Sequence, residues 1–131
     1  MSFMTAVPVP DIPRLHTTPL ASIRVQGSRV IAAVDDEREK RFNLVFVPYQ
    51  AVRITTSDCY IPPGEVKILR GTVLEVLQSD WIDELTTNLS KVDESATFMN
   101  EARHFVVPLQ DAFLEVVAWN ITTSAADEGS H

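Results

Sequence analysis

A chain of 131 residues, 45% hydrophobic and 22% charged with a formal charge of −7, has the size and composition of one soluble globular domain with a single core. That composition excludes a disordered or fibrous chain, and no run approaches the ~20 apolar residues of a membrane-spanning helix. Charge is uneven: residues 1 to 74 hold nine Lys/Arg against seven Asp/Glu, whereas residues 75 to 131 hold two against eleven. An acidic C-terminal half speaks against nucleic acid, whose binding needs a basic stripe, and against an anionic membrane surface. It is either a solvated face that keeps the protein soluble or a surface for a basic partner.

Residues 1 to 20 carry four of the eight prolines, at 8, 10, 13 and 19, and such a segment forms neither a regular helix nor a central strand. The spacing predicts an extended arm over 1–19 that adds little to the core. Prolines and Asp11 interrupt any apolar run there and no basic leader precedes it, so a signal peptide is not indicated and a cytoplasmic protein is expected. "LASIRV" and "RVIAAV" flank the turn-prone "QGS" as a first hairpin, with Gly27 supplying the permissive backbone. After the charged "DDEREK", "RFNLVFV" reads as a strand that Pro48 interrupts or ends, and "QAVRITT" resumes it with Val52 and Ile54 on one face. "IPPG" at 61 to 64 is a loop.

"EVKILRGTVLEVL", residues 65 to 77, is read as strands broken at Arg70-Gly71 because of its valines and glycine, with helix as the alternative. "SDWIDELTTNLSK" is the best helix: Ser79 or Asp80 as N-cap, acids in the first turn, and Ile82, Leu85 and Leu89 at helical spacing, expected to be buried against the sheet. "VDESATFMNEA" is polar, with a second helical turn or a loop as its readings. In "RHFVVPLQDAFLEVVAWNITT" a two-residue loop at Gln110-Asp111 sets Phe105 against Val116 and Val107 against Leu114 as an apolar face. The same register puts His104, Glu115, Phe113 and Trp119 on the opposite face, with His104 a diagonal neighbour of Glu115. Gln-Asp is a poor hairpin turn, so the pair depends on that register. The final "SAADEGSH" is a polar tail from 124 to 131.

These elements make an α+β fold: a mainly antiparallel sheet of about seven short strands, a sandwich or open barrel, with one short amphipathic helix; all-β is the alternative. Residues 20–123 form the single globular domain. No established catalytic constellation is present. His104 with Glu115 has the chemistry of an acid/base couple or half a metal site, though such pairs are more often structural. Cys59 could be activated by His104 or His16, but a lone Cys is usually a small hydrophobe, and it excludes both an intrachain disulfide and a Cys-based zinc site. Ser57-Asp58 with His104 has the residue types of a hydrolase triad without a nucleophile elbow, and the four glycines are not spaced to cradle phosphate. Phe113 and Trp119, with Trp81, are a binding patch or core beneath the helix. No cofactor and no metal is expected.

The leading functional expectation is a non-enzymatic interaction protein with an acidic C-terminal half: an adaptor, inhibitor or immunity-like protein for a protein partner. The competing class is a small-ligand enzyme using His104, Glu115 and Cys59. A third is a homo-oligomeric subunit assembled through the N-terminal arm. A deep pocket on which the three side chains converge favours the enzyme; a filled interior with an acidic surface favours the binder.

Overall fold

In the computed structural model, which describes residues 3–126, seven strands form one antiparallel sheet. They are β1 (Thr5–Pro8), β2 (Ser22–Gln26), β3 (Arg29–Asp35), β4 (Arg41–Thr56), β5 (Leu74–Leu77), β6 (Arg103–Pro108) and β7 (Ala112–Ala125), with helix α1 spanning Asp80–Val92. The order is β1-β5-β6-β7-β4-β3-β2. β1 and β2 are the two edges and do not pair, so the sheet is not closed into a barrel. Mainly antiparallel sheet with one short helix is the architecture expected from the sequence.

Local chemistry explains the hairpins. Gln26 pairs with Arg29, leaving Gly27 and Ser28 as the loop, and Gly27 takes the positive φ (57°) that such a loop needs. In the β6–β7 hairpin Phe105 faces Val116 and Val107 faces Leu114, as the alternation implies. Gln110-Asp111 is a poor turn by composition, yet its backbone is held from outside: the Gln110 amide donates to Pro19 O (3.1 Å) and the Ser57 amide to Asp111 O (2.9 Å). Tertiary contacts therefore supply what the turn residues lack.

The interior lies on one face of this sheet. Val30, Ala32 and Val34 of β3, Phe42, Leu44 and Phe46 of β4, Phe105 and Val107 of β6, and Leu114, Val116 and Ala118 of β7 form one buried cluster. Phe46 meets Phe105 with ring centres 5.7 Å apart. Of the two readings of Pro48, interruption holds and termination does not. β4 runs through it for sixteen residues with a cis Val47-Pro48 bond, and the pairing shifts between Tyr49 and Ala51, leaving Gln50 without a Cα partner. Proline offers no N–H to the ladder, and the extra residue absorbs the irregularity while Phe46↔Ile121 and Val52↔Val116 hold the two sides. β4 and β7 are thus long strands, at sixteen and fourteen residues, rather than short ones.

The proline-rich segment contributes more than expected. Thr5–Pro8 is an edge strand on β5, a place that tolerates proline. The chain then crosses the core: Val9 N bonds Val73 O, Leu15 N bonds Gly71 O at 2.8 Å, and His16 N bonds Asp35 O. Leu15 is 1% exposed within the main cluster, with Val9 and Ile12 packed beside it. Close approach is possible because residue 71 is glycine: a Cβ there would lie 3.0 Å from Leu15 O, and its φ is +82°. Within 65–77 the chain turns at Arg70-Gly71, where the break was expected, but only the second half is a strand. Only Leu74–Leu77 pairs, because Pro63–Glu65 makes a 3-10 turn and the chain from 66 to 73 packs as irregular backbone.

On the opposite face, Leu74, Val76 and Val106 form a second cluster with Tyr60, Ile68 and Phe113. α1 begins as predicted, with Ser79 as N-cap accepting from Ile82 N at 3.2 Å. Ile82, Leu85 and Leu89 are only half-buried, not buried as expected, because α1 packs on β6 and on the 3-10 turn Phe98–Glu101 rather than across the sheet.

Candidate functional site

The His and Glu of the β6–β7 hairpin meet. His104 pairs with Val117 in register and Glu115 with Val106, so the two are diagonal neighbours on the face away from the main core. His104 Nε2 lies 2.7 Å from Glu115 Oε2, and the residues are 0% and 1% exposed. The network extends at both ends. Arg53 on β4, paired in register with Glu115, donates from Nε to Oε1 at 2.7 Å. Ser79 Oγ is 2.8 Å from His104 Nδ1 and is itself 4% exposed. With the ring proton on Nε2, each of the four contacts sets a donor against an acceptor: Arg53 and His104 donate to the carboxylate, the Ser79 hydroxyl donates to Nδ1, and Ile82 N–H donates to Ser79 Oγ.

Trp81 seals the cluster. Its ring meets the His104 ring edge-on with centres 5.2 Å apart, and the Arg53 guanidinium lies 4.0 Å above the same indole. Burial alone would push the Glu115 carboxyl up. The hydrogen bonds and charges of His104 and Arg53 outweigh it and hold the carboxyl below its ordinary value. Tyr60 is near enough to feel this charge: burial, then the Glu115 carboxylate, raise its phenol well above the usual range, although Arg53 opposes them. Its hydroxyl is buried without a hydrogen-bond partner.

Chemically this arrangement is a Ser–His–Glu line held by an arginine. What it lacks is an open nucleophile. Ser79 Oγ already serves the Ile82 amide as a cap, and the cavity beside it is a shallow space of ≈ 230 Å³ bordered by Met4, Arg53, Pro63, Asp80, Trp81, Glu84 and His104. Cys59 is not brought to the pair: it sits exposed on the 3-10 turn Ser57–Cys59 and joins none of these hydrogen bonds. His16 is engaged elsewhere, with the Thr18 amide donating to its Nδ1 at 3.1 Å. Phe113 stacks on Tyr60 with ring centres 4.1 Å apart, and Trp119 is half-buried with its indole N–H enclosed and unpartnered. Among the described residues no cluster of three or more His, Cys, Asp or Glu could hold a metal ion, and no helix is long and apolar enough to cross a membrane.

Sequence reasoning missed Arg53 and the second role of Ser79. Arg53 was legible only as the polar member of an alternating strand, since its meeting with Glu115 depends on how β4 and β7, far apart in sequence, pair. The cap role of Ser79 was readable from its neighbours; its bond to His104 was not. No protein-family model, curated protein or solved structure matches this chain.

α1, which this network pins at its N-terminus, turns its acids outward. Asp80, Asp83 and Glu84 are exposed, as are Asp93, Glu94 and Glu101 beyond it, with Lys91 the single basic residue from 80 to 101.

Proposed function

We propose that this chain is a non-enzymatic binding protein whose acidic surface from 80 to 101 engages a basic protein partner. One observation carries the reading: His104 and Glu115, the residues best suited to proton chemistry, are 0% and 1% exposed and spend their hydrogen-bonding capacity fixing Ser79, the cap of the helix that displays the acids. A buried, fully satisfied polar network positions an element; the exposed charge then steers a partner of opposite sign. Thr5–Pro8 pairs with β5, and the backbone of Val9, Arg14, Leu15, His16 and Pro19 bonds within the same chain, which supports placing the partner surface on α1 rather than on a free arm.

The test compares two charge reversals of equal size. Asp83→Lys/Glu84→Lys should weaken binding to an immobilised lysine-rich protein by about ten-fold or more at low salt, with the loss shrinking as salt screens the surface. Glu37→Lys/Asp58→Lys, also at exposed positions, should change it far less. Equal losses in both variants would reduce the acidic surface to a general solubility feature.

The geometry of Ser79, His104 and Glu115 favours one second reading, a hydrolase whose nucleophile is Ser79. Under it a fluorophosphonate would attach covalently to Ser79 and His104→Gln would abolish labelling. The binding reading expects no labelling of the folded protein.

A further inference from the structure

The face of α1 that fails to bury itself lines a groove of ≈ 360 Å³ formed by Tyr49, Gln50, Leu85, Leu89, Phe98 and Met99. Its walls have different origins. Leu85 and Leu89 come from the apolar stripe of α1, Phe98 and Met99 from the 3-10 turn that follows, and Tyr49 and Gln50 from the irregularity in β4. The stripe continues past the groove: Val92, one turn on from Leu89, is 86% exposed, and Phe98 is 44% exposed. Apolar side chains at the i, i+4 and i+7 positions of a helix, with an aromatic beside them, are the surface on which a partner's apolar side chain is taken up.

Charge selects the occupant. The segments that supply the groove, 80–94 and 98–101, carry six exposed acids against one lysine, so electrostatics favours a cationic partner and repels an acidic one.

We infer that this groove receives the apolar anchor of a basic peptide segment, a leucine or phenylalanine flanked by lysine or arginine, with Phe98, Leu85 and Leu89 gripping the anchor and the acids at 83, 84, 93, 94 and 101 pairing with its charges. The inference rests on the acidic-surface reading and refines it: charge attracts the partner and the groove chooses which part of it docks.

Two fluorescently labelled synthetic peptides of equal positive charge separate these layers, one with a central leucine pair among lysines and one with both leucines replaced by serine. The leucine peptide should bind at least about ten-fold more tightly, the usual scale of a buried anchor. Phe98→Ser, checked for folding by circular dichroism, should remove that advantage while leaving the serine peptide unchanged. Asp83→Lys/Glu84→Lys should weaken both peptides. Equal affinity for the two peptides, with binding still lost on charge reversal, overturns the groove and leaves the acidic surface standing. Binding indifferent to charge reversal, or no binding at all, removes the acidic-surface reading and the groove with it. Self-association in sedimentation velocity that Phe98→Ser abolishes would assign the groove to a second copy, and tight uptake of an uncharged apolar dye that the leucine peptide does not displace would assign it to a small molecule; either overturns the proposal.

Discussion

Glu115 joins the two ends of the buried network, because it accepts from both Arg53 and His104 while itself 1% exposed. Truncating one member of a buried, hydrogen-bonded set leaves the others unpaired, so Glu115→Ala should cost about 3 kcal/mol in urea denaturation. Arg53 is 45% exposed at its side chain and can turn to water, so most of the loss falls on His104. The pH dependence follows from the depressed carboxyl. An unfolded glutamate takes up its proton near the ordinary value of 4.5, whereas the folded Glu115 resists to lower pH. Its contribution is complete above that value and is lost as pH falls through the folded pKa. Asp36, whose carboxyl is lowered chiefly by the Lys40 backbone N–H, adds to the same acid limb. Stability of the wild type should therefore fall more steeply from about pH 5 to about pH 3 than that of Glu115→Gln; parallel curves would mean that Glu115 titrates alike in both states. Tyr60 offers the opposite experiment. Its hydroxyl is buried and unpartnered, and removing an orphaned polar group is neutral or favourable, so Tyr60→Phe should leave stability unchanged or raise it by up to about 1 kcal/mol. A loss above about 1 kcal/mol would point to a hydrogen bond reaching that hydroxyl.

For the elements, α1 shows how a strong local signal can coexist with weak burial. Its cap, acidic first turn and apolar spacing specify a helix from neighbouring residues, and it forms over Asp80–Val92. The depth at which it sits is set by what lies beneath, and packing on β6 and the 98–101 turn leaves Leu85 half-buried. Leu85→Ala should then cost about 1 kcal/mol, below the 2–5 kcal/mol of a fully buried leucine. Ser79→Ala should cost more, about 2 kcal/mol, since it removes a cap and leaves His104 Nδ1 without its partner. Chemical denaturation of both variants checks the ranking, and a larger loss for Leu85→Ala would mean that the helix is held by its apolar face rather than by its end. The strands divide similarly. The β6–β7 register was readable because apolar residues alternate on both sides of a two-residue loop. Continuity of β4 through Pro48 was not, since a proline usually marks an edge or an end and only pairing with the long β7 keeps this one inside a strand.

Across the whole molecule, the N-terminal segment closes the open side of the main core. Leu15 is 1% exposed and its backbone bonds to Gly71, so Leu15→Ala should lose about 3 kcal/mol, and deletion of residues 1 to 18 should lower the melting temperature sharply rather than leave it unchanged. An unaltered melting temperature would return the segment to the status of a tail. Proline content argued correctly against a helix or a central strand there, but it is silent on tertiary contact: an irregular segment buries a leucine wherever the sheet leaves an apolar face uncovered.

What could be read from the residues alone is what depends on near neighbours: the antiparallel class, the Gly27 hairpin, the cap and span of α1, the register that sets His104 beside Glu115, and the acidic charge of the C-terminal half. Each rests on periodicity, turn chemistry or composition within a short window. The tertiary structure decided the rest. It brought Arg53 to Glu115 across 62 residues and Ser79 to His104 across 25, left Cys59 on the surface, laid Leu15 over the core, and opened a groove where α1 meets the irregular stretch of β4. These are meetings of residues distant in sequence, and their partners are selected by the way the whole sheet pairs and bends, which no local pattern encodes.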